Sequence, residues 1–119
     1  MHSYRRFLFL VTTVAYLATV LFGSGCSRYR QSQEEHVLEQ RLATLNDAAA
    51  RFIADHGRAP DSVSDLLLNG YLKEAPVDPF TNRSDTWRLV KTERNGHLAV
   101  EVHSGSELVS SRGTPYSAW

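Results

Sequence analysis

The stretch SQEEHVLEQRLATLNDAAARFIADHG, residues 32–57, decides the fold. Leu38, Leu42, Leu45, Ala49 and Phe52 recur at intervals of three and four residues, which places them on one stripe of an α-helix. Val37 and Ile53 widen the stripe, while Glu39, Gln40, Asp47 and Arg51 fall on other faces. Ser32-Gln33-Glu34-Glu35 has the spacing of a capping box, so the spacing predicts a helix start there. His56-Gly57 supplies the stop, with a glycine suited to a left-handed cap and a histidine that complements the helix dipole. The result is one amphipathic helix of about six turns.

Downstream, the signals change type. Residues 57–61 form a loop closed by Pro60, and Ser62 can cap a short second helix reaching Leu67 or Leu68 before Asn69-Gly70 ends it. Tyr71 and Leu72 are placed to fold back under the core. Residues 75–82 hold Pro76, Asp78-Pro79 and Asn82 and read as turns, where aspartates such as Asp61, Asp78 and Asp85 bond nearby backbone. Then two alternating runs, from Trp87 to Thr92 and from Leu98 to His103, flank Asn95-Gly96, the favoured dipeptide of a type I′ hairpin. Trp87 and Leu89 share one face of the first strand, as Leu98, Val100 and Val102 do of the second, ready to pack on the helix stripe. The tail from Ser104 onward is rich in serine and glycine, and Tyr116 and Trp119 can pin it to the sheet.

Upstream, Arg5-Arg6 precedes a mostly apolar run, residues 7–22, and then Gly23-Ser24-Gly25-Cys26. A positive segment, an apolar segment and a small-residue zone make an export signal, or with a few more residues a spanning helix; the basic end stays inside. Residues 1–26 are therefore expected to be a signal peptide or membrane anchor, 27–34 a tether or helix extension, and 35–119 one exported domain. The chain has 119 residues, enough for one small domain plus an anchor. Its 13 basic and 13 acidic residues balance, and beyond Cys26 the acidic ones exceed the basic by two. That distribution offers no basic face for nucleic acid. Cys26 is the only cysteine, so no internal disulfide can support the domain and the core must do so.

The residues do not favour catalysis. Of five histidines, only His103, beside Ser104 and near Glu101, resembles part of a nucleophilic constellation. No Gly-x-Ser-x-Gly elbow precedes a helix, no two histidines have zinc spacing on a helix, and no phosphate-binding glycine loop is present. No catalytic residue is expected, and a hydrolase depending on His103 is the weakest of the readings.

Three ordered motifs give a more specific reading. Gly57-Arg58-Ala59-Pro60, with Asp65-Leu66 and Gly70-Tyr71-Leu72, forms the first. Pro76-Val77-Asp78-Pro79-Phe80-Thr81-Asn82, followed by Trp87, forms the second. Val102-His103-Ser104-Gly105-Ser106 and Gly113-Thr114-Pro115-Tyr116-Ser117-Ala118-Trp119 form the third. In this order they resemble the major, G-type pseudopilins of type II secretion, within the type IV pilin-like family. The resemblance implies an α+β, pilin-like fold: a long N-terminal amphipathic helix and a short second helix packed on a small antiparallel β-sheet, with an ordered C-terminal loop. It also implies a non-enzymatic scaffold in protein export, whose partners are other secretion-system or pilus-like subunits. His36, Leu38, Glu39 and Leu42, at the start of the helix, are the residues expected to meet such a partner.

The chain departs from the family at its leader. Arg6 stands where a prepilin has glycine before its cleavage point, and Val11 where the mature helix usually has glutamate. Ser24-Gly25-Cys26 instead resembles a lipobox, with Gly23 in place of the usual leucine, which implies lipidation at Cys26; an unmodified cysteine ending a membrane helix is the alternative. The domain then meets the membrane through lipid or helix, and a stand-alone envelope lipoprotein that binds a partner or small ligand is the second functional reading. Family relatives bind calcium in the C-terminal loop, through hard oxygen ligands. The corresponding candidates are Glu101, Ser104, Ser106 and Glu107, with Ser110 and Ser111 beyond them, while Arg112 opposes a divalent ion. The alternative is a loop held by hydrogen bonds and by Tyr116 and Trp119, with no cofactor.

Overall fold

The computed structural model describes the backbone of residues 2–119, and side chains from Cys26 onward. The chain is α+β: helix α1 (His2–His56), helix α2 (Val63–Leu68), strands β1 (Arg88–Arg94) and β2 (His97–His103), and a single 3-10 turn, Tyr116–Ala118. It divides into two compact units, Met1–Gln33 and Glu34–Trp119. In the first, residues 27–33 are helical, and Cys26 is exposed with its thiol free. The anchor expectation rests on residues 7–22, whose side chains lie outside the described residues. Among the described residues, no helix is long and apolar enough to cross a membrane.

The helix does not start at the capping box. Ser32 lies inside α1, because residues 27–56 contain neither glycine nor proline and the helix reaches them already formed. Backbone N–H groups within a helix are already paired along it, so the serine–glutamate signature has nothing to cap there. Glu35 is thereby left for another use.

In the second unit, the predicted stripe is the core. Leu38, Leu45, Ala49 and Phe52 are fully buried and Leu42 nearly so, joined by Ala48 from the same face. Val63 and Leu66 of α2, Trp87, Val100 and Val102 from the sheet, and Tyr116 from the tail close over them. Each buried leucine, valine or phenylalanine contributes about 1.5–3 kcal/mol by leaving water. Gly57 ends α1, its N–H donating to the Ile53 carbonyl at 2.8 Å. Ser62 occupies the N-cap position of α2 with extended backbone, yet its side chain makes no cap bond. Asp65 acts there instead, accepting the Asp61 N–H at 2.8 Å. That bond, followed by those from Arg58, outweighs desolvation and holds the Asp65 carboxyl below its ordinary range.

The hairpin is antiparallel, with Leu89 opposite Val102, Lys91 opposite Val100 and Arg94 opposite His97. Asn95 and Gly96 both have positive φ, 53° and 77°, as a type I′ turn demands. Trp87 lies just before β1 and donates its indole N–H to the Pro76 carbonyl at 2.8 Å, while Asn46 Oδ1 accepts the Val102 N–H at 2.9 Å. The sheet is thus tied both to the turn before it and to α1.

Candidate functional site

Two buried carboxylates organise everything after β2. Asp78 is 0% exposed. Its turn is closed by its own N–H donating to the Arg83 carbonyl and by the Asn82 N–H donating to its carbonyl, both at 2.8 Å. Oδ1 accepts the N–H groups of Phe80 (2.9 Å) and Thr81 (3.4 Å). Oδ2 accepts the Ser104 hydroxyl (2.5 Å) and the Gly105 N–H (3.2 Å). The aspartate therefore does what turn chemistry predicts and also fastens the end of β2 to the turn.

Ser104 starts a relay of side-chain oxygens along the loop. Its Oγ accepts the Ser106 N–H at 3.1 Å, and Ser106 Oγ accepts the Leu108 N–H at 3.2 Å. Ser110 Oγ accepts the N–H groups of Arg112 and Thr114, at 3.2 and 3.3 Å. The hydroxyls hold backbone, as serine does in turns.

The second carboxylate is Glu35, 7% exposed. Oε1 accepts the Ser111 N–H (2.7 Å) and the Tyr116 hydroxyl (2.8 Å), and Oε2 accepts the Ser111 hydroxyl (2.6 Å). Burial opposes its ionisation. The Ser111 N–H, the two hydroxyls and the charge of Arg112 outweigh that and hold the carboxyl below the usual glutamate range. Arg112 pairs with Glu39 at 3.1 Å and lies over the Trp119 ring, 5.0 Å from its centroid. Phe80 stacks on Tyr116 at 3.7 Å, and Trp119 meets Tyr116 edge-on at 5.3 Å. Together these contacts clasp the C-terminal loop onto the first turns of the second unit's helix.

The expected partner residues separate. His36 and Glu39 are exposed; His36 lies 3.3 Å from Gln40, and Glu39 is engaged by Arg112. Leu38 and Leu42 are corrected: they are buried against this unit's own loop and core, so neither is presented to a partner helix. A helix that must supply most of a small core has few apolar residues to spare.

The calcium candidates also part company. The Ser104 hydroxyl donates to Asp78, and Ser106 holds Leu108. Glu101 pairs with Arg94 and stands 3.8 Å from His103 Nε2. Glu107 accepts the Ser117 hydroxyl at 3.0 Å and lies 3.6 Å from Arg88. Ser110 and Ser111 are committed to the loop and to Glu35. Among the described residues, no group of three or more His, Cys, Asp or Glu side chains could hold a metal ion. Nor do His103 and Ser104 meet as base and nucleophile. The His103 ring lies 2.6 Å from the Trp119 carbonyl, while Ser104 is buried against Asp78.

Sequence reading missed Glu35 as the acceptor of the clasp, although a signal was there. It lies three residues before Leu38 and seven before Leu42, so an acid occupies the apolar stripe. The link from Asp78 to Ser104 spans 26 residues and has no local signature. No protein-family model, no curated protein and no solved structure matches this chain.

Proposed function

We propose that this chain is a non-enzymatic, membrane-anchored, pseudopilin-like protein of the bacterial envelope, acting by assembly with subunits of a type II secretion or type IV pilus-like system. One observation carries the reading: a long helix supplies the main stripe of a small α+β core, and a C-terminal loop is clasped back onto that helix by Glu35. The order of the three pseudopilin-like motifs is consistent with it. Such a head offers surface rather than chemistry, since its buried acids are occupied by donors and its serines hold backbone. Fold by itself does not carry function, so the assignment rests on the resemblance.

The test is crosslinking in intact cells followed by recovery of the chain from membranes. Secretion-platform or pilus-like subunits among the crosslinked partners support the proposal; repeated recovery without any of them defeats it. The second reading, a stand-alone lipoprotein with the same kind of head, draws on Ser24-Gly25-Cys26 and on Arg6 and Val11 in the leader. Finding this chain within a filament would eliminate that reading.

A further inference from the structure

The charges of the chain are unevenly divided. Residues 1–33 hold four arginines, Arg5, Arg6, Arg28 and Arg30, and no acidic residue, whereas residues 34–119 hold nine basic residues against thirteen acidic ones. In the second unit most cations stand beside a carboxylate, as Arg51 does beside Asp47 and Arg112 beside Glu39. Among the described residues, Arg28 and Arg30 form no ion pair, and both are exposed. Tyr29, between them, is 70% exposed.

These three side chains occupy consecutive positions of α1. Consecutive helical residues rise about 1.5 Å and turn about 100°. Arg28, Tyr29 and Arg30 therefore form a collar at one level of the helix. A protein face is met by a stripe instead, made of residues three and four apart that share one side. A collar suits a layer that surrounds the helix. Its level fits a membrane too: the expected anchor, residues 7–26, is about 30 Å long as helix, the thickness of a bilayer's hydrocarbon core. Residues 28–30 follow about 3–6 Å further on, within a headgroup layer about 5–7 Å deep. With acyl chains on Cys26 the level is the same, because Arg28 lies two residues past it.

We propose that residues 28–30 are a lipid headgroup contact, in which Arg28 and Arg30 bind the phosphates of anionic phospholipid and Tyr29 lies at the boundary with the acyl chains. A guanidinium pairs with phosphate through two parallel hydrogen bonds. Its long stem lets the charge reach the headgroups while the methylenes lie along apolar surface. Tyrosine favours the same boundary, since its ring is apolar and its hydroxyl is wet. No acid before Glu34 competes for the two arginines or repels the lipid phosphate. The second unit, with its excess of acids, has no such attraction to an anionic surface. The inference rests on the membrane anchor of the proposed function and adds to it the class of lipid that the chain selects.

The experiment reconstitutes the full, membrane-extracted chain in phosphatidylcholine vesicles with and without phosphatidylglycerol. Flotation reads attachment, and spin-labelled lipids read which headgroup borders the chain. The expected result is attachment to both vesicles and a preference for phosphatidylglycerol that falls as salt is added. Arg28→Gln with Arg30→Gln should cut that preference by about fivefold for each arginine. Arg51→Gln with Arg83→Gln, the same charge change in the second unit, should leave it intact. Unfolding of the second unit at the wild-type denaturant concentration shows that each variant has folded. A preference unchanged by Arg28→Gln with Arg30→Gln, or reduced as much by the control pair, overturns the inference while the anchor stands. Loss of protein crosslinks in that variant with no change in lipid preference gives the collar to a protein partner and overturns it too. A chain that floats with neither vesicle defeats the anchor, and this inference with it.

Discussion

A buried carboxylate needs donors to replace the water it has lost. Asp78 and Glu35 meet that need differently. Asp78 is fed mainly by backbone N–H groups from its own turn, plus Ser104 and Gly105 across the fold. Replacing it with asparagine puts an NH2 where a carboxylate oxygen now accepts, leaving buried donors facing a donor. Asp78→Asn should cost about 3 kcal/mol, and Ser104→Ala about 1 kcal/mol, by denaturant unfolding. Because the pair shares one bond, the double variant should cost less than the sum; strict additivity would mean that Ser104 and Asp78 are not coupled. Glu35 accepts its bonds from a loop far along the chain, so its ionisation is linked to closure of the clasp. Its native pKa lies below the unfolded value, so its contribution is complete above about pH 4.3 and is lost as pH falls through the native value. Acidification should therefore lower the protection factor of the Ser111 amide, whose N–H it accepts, more in the native protein than in Glu35→Gln. An identical acid response in the variant would assign that sensitivity to another group.

Among the elements, what could be read in advance follows the range of the forces involved. The stripe from Leu38 to Phe52 and the Asn95-Gly96 turn were legible because period and turn chemistry are local. The start of α1 was not, because a capping signature states only that a helix can begin there, and it says nothing when the preceding residues are already helical. The seating of the loop also depends on a close approach that no short window reveals. A Cβ built on Gly105 would lie 2.3 Å from the Thr86 carbonyl oxygen, with backbone on the blocking side. Gly105→Ala must therefore push β2's end away from residue 86 and stretch the bonds to Asp78. It should cost about 1–3 kcal/mol, as overpacking does. Gly96→Ala, with open space around it but φ at 77°, should cost about 1 kcal/mol. Equal, small effects of both would show that the 86–105 approach yields without cost.

For the molecule as a whole, the site was the least legible part. Glu101, Ser104, Ser106 and Glu107 cluster in sequence, but β2 and the loop after it turn each toward a different partner, and only the fold reveals that the serines serve backbone. The division at Gln33 also bears on the anchor. Every core residue lies at or beyond Leu38, and the clasp begins at Glu35. Cys26 lies in α1, eight residues before the start of that unit. Two acyl chains suffice to hold a protein stably at a membrane. Intact mass of the membrane-extracted chain should accordingly show a start at Cys26 with added acyl mass. Cys26→Ser should keep its leader and lose that mass, while its head unfolds at the same denaturant concentration. A wild-type chain that is uncut, or cut near Phe7 and unchanged in the variant, would assign anchoring to the N-terminal helix and count against lipidation at Cys26.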